Sequence, residues 1–196
     1  MTKKQPTREK LLDVAFEEIY IHGYHATSID TILKKSGIPK GSMYHHFTSK
    51  KELVLTMITE RLFPKMDMFF SYEKKEEKSV IDSIRDTFLV VSKNKMLVTY
   101  GCPLYRLMVE MSAADKAFDT ILVNKANEMK EGIVSLLEKG KESGELSPIL
   151  ECDIFSSFML SATWGILSIS PSLSSAKNFL QQSHYILKEL ESYKID

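Results

Sequence analysis

The amino-acid sequence predicts an all-α fold of about nine helices. Apolar residues recur every three or four positions along most of the 196-residue chain, which is the spacing of one face of an α-helix. No segment shows the alternation of apolar and polar residues that is typical of a half-buried strand. Glycine and proline fall at the ends of the periodic segments, where helices begin or end.

The first predicted helix begins at Thr7, whose hydroxyl can cap it, and runs to about His22. Gly23 ends it, because glycine adopts the left-handed conformation that follows many helices. The helix would brace the next two helices as the third member of a small bundle. Its inward stripe consists of Leu12, Ala15, Phe16 and Ile19.

Two short helices follow, with a glycine between them. The first is predicted to begin at Thr27, which has the spacing of a capping box with Asp30. Gly37 stands where the chain must turn sharply, in a conformation that costs glycine little. Two short helices around such a turn are the helix-turn-helix pattern of DNA-binding proteins. The apolar face of the first helix consists of Ile29, Ile32 and Leu33.

The second short helix can be oriented from its sequence. Pro39 opens it, and at about 100° per residue Pro39, Met43 and Phe47 fall on one face, which is predicted to contact the core. The opposite face can donate hydrogen bonds to phosphates and base edges. An ordinary solvated helix face is the alternative interpretation. The outward residues are Gly41, Ser42, Tyr44 and His45, with Lys40 and His46 on the flanks.

The segment TSIDTILKKSGIPKGSMYHHFTSKKEL, residues 27–53, resembles the amino-terminal signature of the TetR family of transcriptional regulators. The resemblance depends on the Gly-hydrophobic-x-x-Gly turn at 37–41, the Tyr-His-His-Phe run at 44–47 and the Ser-Lys-x-x-Leu pattern at 49–53. These motifs are specific to the family, whereas the rest of the chain resembles it mainly in being helical and of the expected length.

This resemblance implies a three-helix DNA-binding head at residues 1–48 and a helical effector-binding and dimerisation domain at residues 49–196. It implies a transcriptional repressor that binds a palindromic double-stranded DNA operator as a homodimer and is released by an unidentified small molecule. No cofactor, metal or enzymatic activity is expected. The residues expected to contact DNA are Thr27, Ser28, Lys40, Gly41, Ser42, Tyr44, His45, His46 and Lys50.

The helix after the head begins at another capping box, formed by Ser49 and Glu52. It is predicted to run to about Phe63, where Pro64 disturbs or ends it because proline lacks a backbone N–H. Lys50 lies near the amino terminus of this helix, which favours an adjoining phosphate. In the family this helix links the head to the body.

The body is predicted to be helical, after a charged and solvated loop at 71–79. Its last two helices, at about 152–192, resemble the dimerisation pair of the family, which forms a four-helix bundle with its twin. Residues 155–169 are apolar on more than one face, although burial within a monomer would explain this equally well. The predicted helices cover about 80–93, 103–113, 115–142 and 152–169, with one more after a break at Pro171.

By its resemblance to the family, the effector would lie among the body helices. The candidate lining consists of methionine and aromatic residues, which at helical spacing are also typical of an ordinary core. The candidates are Phe88, Met96, Tyr100, Met108, Met111, Phe118 and Trp164.

Cys102 is a candidate sensor of electrophiles or oxidants. Gly101-Cys102-Pro103 resembles a feature of one branch of the family, and Pro103 suits the first position of a helix, which places Cys102 at the cap. The unpaired N–H groups and the helix dipole would lower the pKa of a thiol there. A buried, inert thiol is the alternative.

The distribution of charge agrees with DNA binding at one end of the chain. The formal net charge is zero, but residues 1–50 hold 8 Lys+Arg against 5 Asp+Glu, and four of the five histidines. Lys3 and Lys4 are available to a phosphate backbone. A non-specific or structural DNA-binding protein is the main alternative, but such proteins usually carry more positive charge.

An all-helical enzyme is a weaker alternative, because the sequence holds no glycine-rich phosphate loop, no H-E-x-x-H and no cysteine-pair zinc spacing. His22 with His25, or His45 with His46, could ligate a metal, although His22 and His25 flank a turn and solvated histidines are expected. No apolar run reaches the roughly 18 residues of a membrane span and no signal pattern appears, so a cytoplasmic protein is expected.

Overall fold

A computed structural model describes residues 6–72, 78–168 and 175–195. These residues form helices and no strand, with one isolated bridge between Leu146 and Lys194, so the all-α prediction is confirmed. No helix in this part of the chain is long and apolar enough to span a bilayer. The helices are α1 (Thr7–His22), α2 (Ile29–Ser36), α3 (Lys40–Tyr44), α4 (Lys50–Met57), α5 (Phe63–Phe69), α6 (Val80–Lys93), α7 (Lys95–Tyr100), α8 (Pro103–Met111), α9 (Lys116–Glu142), α10 (Cys152–Leu167) and α11 (Ala176–Glu191).

The described residues fall into two compact units. The first contains the residues up to Asp67 together with the segment Arg106–Leu122, and α1 packs in it against α2, α3 and α4. The second contains the other described residues, and α11 packs in it against α6 and α10. The first unit therefore includes more than the predicted head at 1–48. A domain boundary between residues 48 and 49 stays a proposal.

The two ends of α1 differ in how well they were predicted. The helix begins at Thr7, but Pro6 is the residue before it and no side chain caps it, so the predicted capping by Thr7 is wrong. The reason is that Thr7 already has helical geometry and cannot fold back on the first turn. Gly23 ends the helix as predicted, with φ at 84° and its N–H donating to the carbonyl of Ile19 at 2.9 Å.

The helix after the head continues past Pro64. Ser49 caps α4 as predicted, by accepting a hydrogen bond from the N–H of Glu52. A π-helical stretch, Ile58–Leu62, then leads into α5, and Pro64 lies in the first turn of α5, where a missing N–H is best tolerated. Pro64 therefore disturbs the helix without ending it, which is one of the two outcomes that the sequence predicted.

Three helices of the second unit, α6, α7 and α11, begin with side-chain caps, whereas no side chain caps α10. Ser79 accepts a hydrogen bond from the N–H of Asp82 at the start of α6. The carboxylate of Glu145 accepts another from the N–H of Val80 at 2.8 Å. The short helix α7 was not predicted, because its six residues are too few to show a period; the side chain of Asn94 caps it.

Parts of three sequence-based expectations lie outside the described residues. They concern Lys3 and Lys4, the central residues 73–77 of the predicted loop, and the break at Pro171. In the described part of that loop Tyr72 is buried, with 7% of its surface exposed, so the loop is not solvated along its whole length.

Candidate nucleic-acid interface

The first helix of the helix-turn-helix is capped by Ser28 rather than by Thr27. The hydroxyl oxygen of Ser28 accepts a hydrogen bond from the N–H of Thr31 at 3.0 Å. Thr27 is buried, and its hydroxyl donates to the carbonyl of Gly23 at 2.8 Å. The predictions that Thr27 caps α2 and contacts DNA are therefore wrong, because the preceding turn uses its hydroxyl. Ser28 is exposed at the amino terminus of α2, where an anion is favoured.

The turn between α2 and α3 depends on Gly37. This residue has φ 64° and ψ 22°, the left-handed conformation, and its N–H donates to the carbonyl of Leu33 at 2.9 Å. α3 begins at Lys40, one residue later than predicted, and Pro39 before it is exposed. The predicted core position of Pro39 is wrong because its ψ of 144° is extended, so the helical period does not include it.

α3 has the orientation that its sequence predicted. Met43 is 0% exposed and Phe47 is 2% exposed, whereas Tyr44 is 43% exposed. The N–H of Phe47 donates to the carbonyl of Met43 at 2.9 Å, which continues the helical turn beyond α3. The two apolar side chains therefore anchor the helix, and a polar face is directed to the solvent. Of the polar residues on this face, Lys40, Gly41, Tyr44, His45 and His46 are exposed and Ser42 is half-buried.

Lys50 lies at the start of α4, but its side chain is directed back into the first unit. Its Nζ donates to the carbonyl of Tyr24 at 2.5 Å and lies 4.0 Å from the centroid of the Tyr24 ring. Burial lowers the pKa of Lys50. The predicted phosphate contact of Lys50 is wrong for this conformation, because the ammonium group is held by Tyr24.

Arg8 of α1 and Arg61 of the π-helical stretch are engaged by carboxylates. Arg8 binds Glu60 through two N–H donors, at 2.8 and 2.6 Å, and this pairing raises its pKa. Arg61 donates to Asp13 at 2.6 Å, which is the main reason for its raised pKa, and it also pairs with Glu9. These pairs join α1 to the π-helical stretch. They are exposed or half-exposed, so each stabilises the fold by about 0–1 kcal/mol.

Comparison with known proteins agrees with this geometry. The sequence model described as bacterial regulatory proteins, tetR family, matches residues 11–57. The model described as tetracyclin repressor-like, C-terminal domain, matches residues 81–179, about half of the chain. The chain belongs to the TetR family of transcriptional regulators. TetR-family proteins are generally ligand-responsive repressors, and they are not typically enzymes.

Three relatives that match most of this TetR-family chain are 24–26% identical to it. The HTH-type transcriptional regulator UidR of Escherichia coli strain K12 is 26% identical over 170 residues, which cover 85% of this chain and 83% of UidR. A TetR transcriptional regulator from Chloroflexus aurantiacus J-10-FL superposes with a TM-score of 0.84 at 25% identity, over 99% of this chain and 98% of that one. Salmonella enterica GusR shares the fold, with a TM-score of 0.76 at 24% identity over 99% of this chain and 98% of GusR.

The residues predicted to line a TetR-family effector pocket do not all lie in one compact unit. Two of the aromatic candidates are fully buried against other rings: Phe118 packs on Tyr24 with centroids 5.1 Å apart, and Phe88 packs on Phe179 at 6.0 Å. This packing favours the core interpretation for Phe118 and Phe88. The first unit contains Met108, Met111 and Phe118, and the second contains Phe88, Met96, Tyr100 and Trp164.

Cys102 lies immediately before α8, as predicted, but its thiol is not activated. Its side chain is 1% exposed, and burial raises its pKa to about 11 even though the N–H groups of Tyr105 and Leu104 oppose this change. The predicted lowering of the pKa is wrong because desolvation outweighs the helix terminus. Because the thiolate is the reactive form, this burial favours the alternative of an inert thiol, and the sensor role of Cys102 stays a prediction.

α10 and α11 expose an apolar surface, which we call the α10–α11 groove. It has a volume of about 780 Å³. Phe155 and Met159 of α10 are buried, so α10 has one apolar face in the core and another in the solvent. The exposed large residues that line the groove are Ile149, Ile154, Phe158 and Tyr185.

Two residues that contact the head could not be predicted from the sequence. Arg106 and Glu110 of α8 bind backbone groups of residues 20–25. Their partners lie 85 or 86 positions away in the chain, so no local pattern could have indicated these contacts. Among the described residues, no three potential metal ligands lie close enough to hold an ion.

Proposed function

We propose that this TetR-family protein is a homodimeric repressor that binds a palindromic DNA operator and is released from it by a small molecule. The orientation of α3 carries the proposal, because burial of Met43 and Phe47 leaves a polar helical face available to a DNA groove. No catalytic step is part of the proposed function.

The exposed polar residues of the helix-turn-helix would make two kinds of contact, with base edges and with phosphates. Tyr44 and His45 carry donors and ring surfaces suited to base edges, and Gly41 has no side chain to hinder a close approach of the backbone. Ser28 at the start of α2 and Lys40 at the start of α3 suit phosphate contacts, which fix the register of the protein on the duplex. Ser42 and His46 complete the proposed interface.

The α10–α11 groove supports dimerisation. Covering exposed apolar side chains such as Phe158 and Tyr185 with a second copy removes apolar surface from water, which is favourable. Two copies related by a two-fold axis would present two α3 helices about one DNA turn apart, roughly 34–36 Å. A palindromic site matches this symmetry.

Release by an effector requires a difference in affinity between two conformations. A coupling free energy of about 1–3 kcal/mol would change operator affinity about 5–150-fold, which is enough for a switch. Met96, Tyr100 and Trp164 stay candidates for the effector site in the second unit, and Met108 and Met111 in the first.

Selection of bound fragments from random duplex DNA tests the proposal. The full chain is incubated with the library and an excess of non-specific competitor, and the recovered fragments are sequenced. We expect a palindrome with half-sites about 10–10.5 bp apart, or a multiple of this spacing, and two chains per site. Recovery of fragments without a shared motif, or complete loss of binding to the competitor, would instead indicate a non-specific DNA-binding protein.

A further inference from the structure

The end of α1 is capped by a side chain from a distant helix. Nη1 of Arg106 donates to the carbonyl of Tyr20 at 3.0 Å and to the carbonyl of Ile21 at 2.9 Å. These are two of the four carbonyls that a helix leaves without an intrahelical partner at its end. The helix dipole adds to the attraction, because it favours a cation at this terminus. Arg106 therefore caps two carbonyls at the end of α1 in addition to the carbonyl of Ile19, which accepts from the N–H of Gly23.

Glu110 lies one turn further along α8 and holds the backbone immediately after α1. Its Oε2 accepts a hydrogen bond from the N–H of Tyr24 at 2.8 Å, and its Oε1 accepts one from the N–H of His25 at 2.6 Å. Hydrogen bonds to a charged acceptor are stronger than neutral ones. The carboxylate approaches so closely that a Cβ added at Gly23 would lie 2.7 Å from Oε2.

The two side chains thus hold one short segment, residues 20–25, which comprises the last turn of α1 and the start of its connection to α2. Arg106 binds its acceptors and Glu110 binds its donors. The connection continues directly into α2, and α1 packs against both α2 and α3. A displacement of residues 20–25 would therefore change the direction in which α3 presents its polar face. Neither Arg106 nor Glu110 belongs to that face.

We propose that Arg106 and Glu110 are positioning residues for operator binding, which fix the α1–α2 connection and thereby the direction of α3 without contacting DNA. This inference rests on the proposed binding of a dimer to a palindrome. In a symmetric dimer the direction of each α3 sets the half-site separation that the dimer accepts. When the connection is released, the direction of α3 is held less firmly, and wrong half-site separations become nearly as acceptable as the right one.

The test uses the full-length chain and the palindrome recovered by selection, with the natural centre and with one base pair inserted there. Glu110→Ala removes both acceptors, Arg106→Ala removes the cap, and Glu110→Gln keeps one acceptor oxygen. Val109→Ala is the matched control, since Val109 is the neighbour of Glu110 on α8 and is 69% exposed. Affinities are measured by fluorescence anisotropy for both spacings and for a duplex with a single half-site.

We expect Glu110→Ala and Arg106→Ala to bind the natural palindrome about 10-fold more weakly. The ratio of their affinities for the natural and the lengthened palindrome should fall by a similar factor. Glu110→Gln should show an intermediate loss, Val109→Ala should match the parent, and half-site binding should be retained in all variants. A merely structural role would weaken binding to both spacings by the same factor.

An unchanged ratio between the two spacings in the alanine variants would overturn the inference, whether or not the affinity falls. If an alanine variant fails to fold, as shown by its thermal transition, Glu110→Gln tests the inference in its place. The ratio of its affinities for the natural and the lengthened palindrome must then fall below that of the parent. Failure of the proposed function would be recognised separately, because the parent chain would then select no palindrome.

Discussion

The ammonium group of Lys50 lies 2.5 Å from the carbonyl oxygen of Tyr24 and 4.0 Å from the centroid of its ring. One side chain thus joins the first turn of α4 to the connection between α1 and α2, through a hydrogen bond and a cation–π contact. In this structure Lys50 holds the first turn of α4 against the head, which is not the phosphate contact that its position in the sequence predicted.

Substitution of Lys50 should therefore leave the salt dependence of DNA binding unchanged. Each phosphate contact that is lost reduces the slope of log K against log salt by about one. Lys50→Ala should keep the slope of the parent, whereas Lys40→Ala should reduce it by about one, because Lys40 is exposed on α3. Titrations at several salt concentrations measure both slopes. A smaller slope in Lys50→Ala would show that the side chain leaves Tyr24 and binds DNA.

The thiol of Cys102 should react slowly in the native protein. With a pKa of about 11 in place of 9.0, its thiolate fraction at pH 8 falls from about 10% to about 0.1%. Alkylation by iodoacetamide should thus be at least about 100-fold slower than in urea-unfolded protein, as followed by mass spectrometry in a Cys152→Ser background. Native and unfolded rates of similar size would support the sensor hypothesis.

The same raised pKa predicts how stability depends on pH. The folded state keeps the Cys102 proton up to a pKa of about 11, while the unfolded chain releases it from about 9.0. Stability from this group is complete below pH 9 and is lost as the pH rises towards 11, by about 1.4 kcal/mol per pH unit. Urea unfolding of the parent and of Cys102→Ala across this range isolates the contribution. A parallel pH dependence in the two proteins would contradict it.

A charge placed in the α10–α11 groove should separate the proposed dimer. In a two-fold interface Phe158→Asp introduces two like charges into an apolar surface, so we expect a monomer by analytical ultracentrifugation. Val90→Asp is the matched control, because Val90 is exposed to a similar degree, 45% against 47% for Phe158, but lies on α6. If Phe158→Asp remains a dimer, the dimer interface does not lie in the α10–α11 groove. If the parent chain is a monomer, the proposed dimer does not form.

The helix-turn-helix could be predicted from sequence because its signals are local. Gly37, Met43 and Phe47 lie within eleven residues, and their spacing alone fixes the turn and the buried face. The choice between the neighbouring hydroxyls of Thr27 and Ser28 could not be made in this way. It depends on the carbonyl of Gly23, which the preceding turn brings to Thr27.

Contacts between residues distant in the chain account for the other differences. The position of Cys102 before α8 was predicted correctly, but its burial depends on packing that no local pattern reveals. Lys50 and Glu110 both reach Tyr24, from 26 and 86 positions away. The sequence therefore predicted most of the helices and their buried faces, but neither the short α7 nor the side chains that hold one helix against another.

The orientation of α3 is tested most directly by a pair of neighbouring substitutions, Met43→Ala and Tyr44→Ala, measured for both unfolding and operator binding. Tyr44→Ala should keep the free energy of unfolding of the parent and weaken operator binding by about 1–3 kcal/mol, because the side chain is exposed and available to DNA. Met43→Ala should lower the free energy of unfolding by about 2–5 kcal/mol, since it leaves a cavity in the core. The opposite pattern, a destabilised Tyr44→Ala that binds DNA normally when folded and a stable Met43→Ala that does not bind, would contradict the assignment of α3 as the recognition helix.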